Sequence, residues 1–544
     1  MTQFEVRRRD GLARQGIFTI NDQQIPTPAI IDPIECFPDL ASRPLSNIPL
    51  QADAEFVRRY AGEVFDQPIP AHPISPETIS SGDAAIISGW HTALADPRAY
   101  ADWVETFLSA LPPDAARYAP ASALPSHVAM LIATGLDLFD TIAVDLKSAE
   151  GLFCTTEGIY PGSWLDEGIC SCSGCRTGDL REHNRQALQN EIRFATALLQ
   201  RGELRELIEA RCRSDASLVA ILRHLDRKGD LMERAAPIAR TTSFRAHTQE
   251  SMYRAEIGRF EDRVIRRFTQ NTWDVCVLLP CSAKKPYSLS QSHRKFQDAI
   301  AGRAHEVIIT SPLGVVPREL ELIYPAAHYD VPVTGHWDHE EQAILAGYLT
   351  EYLRTHPYRR VIAHLEGGAL EVARTAAASA GIPLEETCTD GRPTSWESTG
   401  ALRDALAGER KRGLDIVGGT LAWQFGVRPD TRKMIIKGRF PERKVFAGRQ
   451  QLFSFDPGTG LLRPTMEGWA LLPDCYRVTI EGFVPQGDIL APGVQSADPA
   501  IRDGDEVLVI GEGVRATGRA MMSADEMIRS TRGIAVKVRK VKKS

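Results

Sequence analysis

A chain of 544 residues has room for several domains, and its 43% hydrophobic and 25% charged composition is that of a folded protein rather than a disordered or fibrous one. A formal net charge of −6 excludes a globally basic nucleic-acid binder, so any RNA contact must come from a local patch. Ten cysteines in this length do not make a disulfide scaffold, and three of them crowd into six residues, which favours a reducing compartment and a metal. The charged N-terminal stretch has no apolar segment and no stretch approaches a membrane span, so the sequence reads as cytoplasmic, with no membrane partner.

Residues 1–235 read as a first unit. Short apolar strands at 16–20 and 85–88 alternate with helical stretches, which predicts a parallel α/β architecture long enough for a barrel. The stretch 97–111 sets Tyr100, Trp103, Val104, Phe107 and Leu108 on one helix face. A helix at 127–135 follows, and then Phe139-Asp140 before or on a strand. Asp140 by itself reads as a strand-end acid held by structural hydrogen bonds. Cys170, Cys172 and Cys175 form a tight knuckle, with His183 beyond a short gap. Zn²⁺ prefers four tetrahedral sulfur or nitrogen ligands, so a closed Cys3His set predicts a structural zinc site, with His224 the alternative fourth ligand. The stretch 185–225 is helical and apolar-periodic, and the Arg-rich stretch 236–270 reads as a helical connector with a solvated face.

The most informative stretch lies in a second unit, 271–395. Strands are expected near 274–279, 306–310 and 360–364, separated by helices, which again predicts a parallel sheet. The first strand ends at Pro280-Cys281, and Ser290 is the expected N-cap of the next helix. The intervening loop carries Cys281, Lys285, Tyr287 and Ser290, with His293 early in the helix. Nearby cations and a helix N-terminus lower a thiol pKa, and the thiolate is the reactive form. The other two strands end at 310–314 and at His364-Leu365-Glu366-Gly367-Gly368, so all three termini should share the edge where ligands sit in open α/β sheets. His336 and Asp338 are further candidates, either as site residues or as turn residues packing the sheet edge.

Residues 396–470 read as a small α+β spacer with no evident chemistry, and 471–544 as a small β-barrel. In its last strand Ile534, Val536 and Val538 are expected to face inward, alternating with Ala535, Lys537 and Arg539. From Arg529 to Ser544 there are seven Lys or Arg and no acid, a run that either solvates the tail or contacts phosphate, the candidates being Arg529, Arg532, Lys537, Arg539 and Lys540.

Pro280, Cys281, Lys285, Pro286, Tyr287, Ser290 and His293 together resemble the signature of archaeosine synthase, a paralogue of archaeal tRNA-guanine transglycosylase. The resemblance extends over nearly the whole chain: Phe139-Asp140 and 150–153 are similar to the transglycosylase segment around its nucleophile, the Cys3His knuckle to its zinc site, and the last unit to a PUA domain. It implies an α/β multidomain fold: a transglycosylase-like β/α barrel with a zinc knuckle, a second parallel α/β domain, the spacer and a PUA-like β-barrel. It also implies an enzyme of tRNA modification, in which an amine adds to the nitrile of 7-cyano-7-deazaguanine in the D-loop of tRNA to give an amidine. Lysine is the implied donor, with a glutamine-derived nitrogen the alternative, and a radical-SAM partner would complete archaeosine. A homo-oligomer is compatible with this reading. Three other readings stay open: base exchange through Asp140, a non-catalytic tRNA-binding subunit, and an active site around His364 and Glu366 with Cys281 structural.

Overall fold

The computed structural model describes residues 3–37, 78–81, 84–87, 94–269, 273–332, 336–472 and 474–543. The end of the expected strand at 85–88 lies outside them. Two compact units emerge: Met1–Pro237 with Gly487–Asp503 and Met521–Lys537, and Ile238–Gln486 with Gly504–Ala520 and Val538–Ser544.

The first unit opens with three antiparallel strands, β1 (Gln3–Asp10), β2 (Ala13–Ile20) and β3 (Gln23–Thr27). The expected strand at 16–20 is therefore the middle of a meander and not part of a parallel sheet. Its turns explain why: Gly11 sits at φ 64°, and Asn21 and Asp22 at 48° and 64°, the left-handed values that tight hairpins require. The parallel sheet comes next, from β4 (Ala29–Ile30), β5 (Thr78–Ser81), β6 (Ala84–Ile87), β7 (Ala116–Tyr118) and β8 (Leu138–Phe139), in the order β4-β8-β7-β6-β5 with only β5 antiparallel. Period-two burial divides β6 between two cores. Ala84 and Ile86 pack with Phe4, Phe18 and Tyr118, while Ala85 and Ile87 join Tyr100, Trp103, Val104 and Phe107 of helix α1 (Pro97–Ala110). Short α2 (Val128–Ala133) and α3 (Ile142–Ala149) flank β8. Strands β9 (Leu152–Cys154) and β10 (Ile159–Pro161) form a small hairpin, and α4 (Ser173–Thr177), α5 (Leu180–Arg201), α6 (Leu204–Arg211) and α7 (Ala216–Asp226) follow.

The second unit takes in the segment expected to be a solvated connector. Strand β11 (Phe244–Arg245) leads to α8 (Ala255–Arg266), whose Ile257, Phe260 and Val264 are core residues and whose Arg259 and Arg263 are buried too. An Arg-rich sequence looks solvated, but guanidinium stems pack against apolar surface when ring faces are present: Arg263 lies over the Trp423 ring at 5.0 Å and Arg254 over Phe244 at 5.0 Å. The main sheet uses β12 (Val275–Pro280), β13 (His305–Thr310), β14 (Gly314–Pro317), β16 (Arg360–Ala363) and β17 (Leu384–Glu386), in the order β14-β13-β12-β16-β17; β15 (Tyr329–Asp330) pairs with β11 instead. All neighbours in the main sheet are parallel except β13 and β14. Cys276 and Leu278 enter one core with α8, α10 (His339–Thr355) and α11 (Gly367–Ala380). Val275, Val277 and Leu279 enter the other, with Phe296 of α9 (Gln291–Ile300) and Leu402 of α12 (Trp396–Ala405). The crossovers from β12 to β13 and to β16 thus leave by opposite faces, which puts a topological switch point at the carboxyl end of β12.

Beyond α13 (Ile416–Phe425) lies a four-stranded antiparallel meander, β18 (Met434–Arg439), β19 (Glu442–Ala447), β20 (Gln450–Phe455) and β21 (Leu462–Pro464). The C-terminal segment supplies β22 (Arg477–Ile480), β25 (Glu506–Gly511) and β26 (Val514–Ala520) to the second unit. To the first it supplies β23 (Ile489–Leu490), the strand β24 (Val494–Ala497) and the start of β27 (Ile534–Lys543). The expected alternation in β27 is corrected: Ala535 and Val536 are both buried and Ile534 is exposed, because both faces of the strand are covered at 535–536. Among the described residues no helix is long and apolar enough to cross a membrane.

Candidate functional site

Cys281 follows the last residue of β12, at the switch point, and is half-buried. Burial pushes its thiol up, while a hydrogen bond with Thr310 and the charge of Lys285 pull it down. Lys285 is shifted the opposite way: burial lowers it, and Cys281 and Asp330 raise it. Its Nζ lies 3.8 Å over the ring of Tyr329, a contact that holds an ammonium without neutralising it. A hydroxyl chain backs the thiol. Thr310 Oγ1 and Tyr329 Oη are 2.6 Å apart, and Tyr329 Oη and Tyr287 Oη also 2.6 Å. Tyr287 is fully buried and joins the thiol's surroundings through that chain.

Ser290 and His293 hold the loop in place. Ser290 is the N-cap of α9, its Oγ accepting from the His293 N–H at 3.2 Å. The His293 ring is buried and its Nδ1 accepts from Arg318 Nη2 at 2.7 Å. Burial and the Arg318 charge push its pKa down to about 3. It is thus neutral at ordinary pH, with Nδ1 taken up by Arg318. Arg318 also donates to Glu306 at 2.6 Å and Glu321 at 2.7 Å, and Glu321 accepts the Ser288 N–H at 3.0 Å. The network of Arg318, Glu306 and Glu321 anchors the carboxyl-terminal end of the loop at Ser288 and the first turn of α9 at His293. Sequence reading missed it, although Arg318-Glu319-Leu320-Glu321 carries the charges in plain view.

The other candidates around this edge divide. His364 is buried, with Nδ1 2.9 Å from Thr387 Oγ1 and Nε2 donating to the Pro393 carbonyl at 2.7 Å, so both ring nitrogens are engaged structurally. Glu366 is exposed at the start of α11. His336 is exposed, and Asp338 caps α10 by accepting the Glu341 N–H at 2.8 Å. Two groups that sequence reading passed over also reach this edge: Cys388, just beyond β17, and Trp396, 85% exposed at the start of α12.

In the first unit Cys170, Cys172, Cys175 and His183 converge, their ligand atoms all within 4.8 Å of one another. His183 Nδ1 is 3.3 Å from both the Cys172 and Cys175 sulfurs, and Nε2 donates to the Cys154 carbonyl at 3.1 Å. That second bond fixes the tautomer that leaves Nδ1 free to ligate. Phe153 stacks on the ring at 3.7 Å, and any side chain at Gly174 would run into the backbone of His183 and Asp179. The donor set fits a metal ion, and His224 lies outside it.

Asp140 ends β8 and is 1% exposed. Its carboxylate accepts from Tyr118 Oη at 2.6 Å, the Ala121 N–H at 2.9 Å and the Ile142 N–H at 2.8 Å. Burial pushes its pKa up to about 6 against those three bonds.

Comparison with known proteins bears on what these sites serve. The profile of a domain of unknown function (DUF5591) matches residues 257–406, and that of a PUA domain matches 481–542. A protein named archaeosine synthase subunit alpha, from Methanosarcina acetivorans, is 38% identical over 507 residues, covering 86% of this chain and 80% of its own. One named archaeosine synthase, from Haloferax volcanii, is 37% identical over 583 aligned positions, covering 99% of each chain. The chain belongs to the archaeosine synthase family. A tRNA-guanine(15) transglycosylase from Methanothermobacter thermautotrophicus is 26% identical over 520 residues, 89% of this chain and 73% of its own, which makes that enzyme a paralogue of the archaeosine synthases.

The basic C-terminal candidates of this chain are not equivalent. Arg529 donates to the carbonyls of Ser109 and Leu111 at 2.8 and 2.6 Å and to Asp525 at 2.9 Å. Arg539 is paired with Glu506 at 2.6 Å, and Arg532 is half-buried. Lys537 and Lys540 are exposed.

Proposed function

We propose that the chain is a tRNA-modifying enzyme of archaeosine biosynthesis that adds an amine, lysine, to the nitrile of 7-cyano-7-deazaguanine held in tRNA. The observation that carries this reading is the pairing of Cys281 with Lys285 at the switch point, in a chain 37% identical to an archaeosine synthase along its whole length. Burial moves the thiol up and the amine down, so the two groups compete closely for one proton. Thiolate attack forms a C–S bond to the nitrile carbon and opens one C–N π bond. The proton taken from sulfur by Lys285 goes to the nitrile nitrogen, giving a thioimidate. The donor amine then adds to the same carbon, the C–S bond breaks, and the amine's surplus proton returns to the Cys281–Lys285 pair, leaving an amidine. Thr310 and the Tyr287–Tyr329 chain supply hydroxyl donors beside the reacting atoms. His293 and Ser290 act by fixing the loop.

The first unit then serves as a transglycosylase-like scaffold that binds tRNA without exchanging bases. Asp140 supports this: both its oxygens are engaged and the carboxylate is buried, the opposite of what attack on a ribose demands. Cys170, Cys172, Cys175 and His183 would hold a structural Zn²⁺, whose four ligands would close the knuckle. The PUA segment, with exposed Lys537 and Lys540, would contact RNA phosphates, and a radical-SAM partner would cleave the lysine adduct.

Intact-mass analysis of tRNA bearing the nitrile base, incubated with this protein and lysine, tests the reading. A gain equal to one lysine is expected, abolished in Cys281→Ala and retained in Asp140→Asn. Labelled guanine entering unmodified tRNA, with loss of that exchange in Asp140→Asn, would move the chemistry to the first unit. An adduct that survives Cys281→Ala would remove the thioimidate.

A further inference from the structure

The first unit contains a cavity of about 380 Å³, lined by Gly11 and Leu12 of the β1–β2 turn and by the chain segments around Ser109, Arg234 and Ser523. Arg9, Arg14, Arg117, Arg234 and Arg529 line it, against two lining acids, Asp525 and Glu526. The acids are already matched. Glu526 accepts from Arg9 Nε at 2.6 Å, and Asp525 from Arg529 at 2.9 Å. Behind the wall, Asp137 bonds the Arg14 guanidinium and accepts the Arg117 backbone N–H at 2.9 Å. Once these pairs are counted, the guanidinium groups of Arg117 and Arg234 have no carboxylate of their own among these acids.

The buried groups point the same way. Arg14 is 4% exposed and Arg117 5% exposed, and the Nε–H of each has no hydrogen-bond partner. The remaining guanidinium contacts are to carbonyls or to Asp137: Arg14 to Pro113 at 2.6 Å and Ala115 at 2.9 Å, and Arg117 to Gly135 at 3.2 Å. A buried donor without an acceptor is unfavourable, and adjacent cations repel as well; the Arg117 charge is disfavoured by burial and by Arg14 and Arg529, and favoured by Asp137 and Glu526. An anion in the cavity balances the excess charge and can accept from the guanidinium groups that line it.

We propose that this cavity is an anion site that takes a phosphate group, through Arg14 and Arg117 at its floor and Arg234 at its mouth. Phosphate suits the arrangement better than a halide, because its oxygens can accept from several guanidinium forks at once. The group comes either from the backbone of bound RNA or from a free phosphorylated small molecule. Neither the proposed amine addition nor the PUA lysines enter the argument, so this inference stands apart from the proposed activity.

Thermal unfolding of the full chain in inorganic phosphate, against chloride at equal ionic strength, gives the first reading. A saturable rise in midpoint is expected with phosphate alone. Arg234→Gln, at an exposed position, should weaken the apparent affinity several-fold while leaving the midpoint in chloride unchanged; Arg117→Gln should weaken it more, and if that variant fails to fold, Arg234→Gln alone decides. Binding of an unmodified tRNA transcript then separates the sources. If phosphate competes with the transcript, and Arg234→Gln reduces the slope of log K against log salt by about one, the ligand is an RNA phosphate. If phosphate binds but leaves transcript affinity unchanged, the ligand is a small molecule. An equal midpoint in phosphate and chloride, or phosphate affinity indifferent to Arg234→Gln, overturns the proposal.

Discussion

At the scale of single residues, the site is governed by how burial shifts two ionisable groups toward each other. Cys281 is raised from 9.0 and Lys285 lowered from 10.5, so the reactive thiolate–ammonium pair forms only after the solution has taken up the proton that burial favours on sulfur. The single-turnover rate of adduct formation should therefore climb with pH by about tenfold per unit on its acidic limb and fall again as Lys285 loses its proton. In Lys285→Met the limb should move to higher pH, because the cation that stabilises the thiolate is gone. A flat profile in both proteins would mean that thiol ionisation is not part of the limiting step. Cys281, Lys285 and Tyr287 were legible in sequence, since a cysteine at a strand end beside a lysine and a tyrosine is an uncommon cluster. So was the Ser290 cap of α9, which accepts from the His293 N–H; the role of His293 was not, because a neutral buried imidazole is defined by what surrounds it, here Arg318.

At the scale of elements, the knuckle shows how a short sequence pattern fixes a site once its neighbours are built. Cys172 caps α4, and α5 brings His183 back over it with Phe153 of β9 stacked behind. Three half-exposed thiols this close repel when ionised, and a bound cation would offset that repulsion. The protein as purified should carry about one equivalent of zinc by elemental analysis. Cys172→Ser should lose the metal and lower the unfolding midpoint by several degrees, whereas Cys212→Ser, remote in sequence and buried in an apolar core, should keep it. A metal-free wild type with an unchanged midpoint would reduce the cluster to packing. Elsewhere at this scale, periodicity was a sound guide for α1 and β12 and misled for β2, whose apolar run is the centre of an antiparallel meander. The clue lay in turn residues, Asp10-Gly11 and Asn21-Asp22, rather than in the run itself.

At the scale of the whole molecule, the C-terminal segment is not an appendage. In the first unit Thr531 donates to Asp114 at 2.6 Å through its N–H, Arg529 to the carbonyls after α1, and Arg502 to Glu233 at 2.7 Å. In the second, Trp469 Nε1 donates to Thr517 at 3.2 Å. Deleting residues 481–544 removes these bonds and exposes the buried surface they cover, Asp114 included. The deletion should lower the thermal midpoint by several degrees or abolish soluble expression; an unchanged midpoint would make the segment a detachable RNA-binding module.

What the sequence determined by itself is what depends on neighbours along the chain: the strand–loop–helix around Cys281, the three thiolates of the knuckle, the order of α/β elements and the basic run near the C-terminus. These follow from local sterics, side-chain periodicity and covalent spacing. Only the tertiary structure decided which charges are paired, which are buried and which remain unmatched. It turned the Arg-rich 236–270 stretch from a solvated face into core, tied Arg529 and Arg539 to partners far away in sequence, sealed Asp140 under three hydrogen bonds, and left Arg14 and Arg117 each with an unanswered donor. The physical reason is that burial and electrostatic pairing are set by groups distant in sequence, and they change a side chain's chemistry without changing its name.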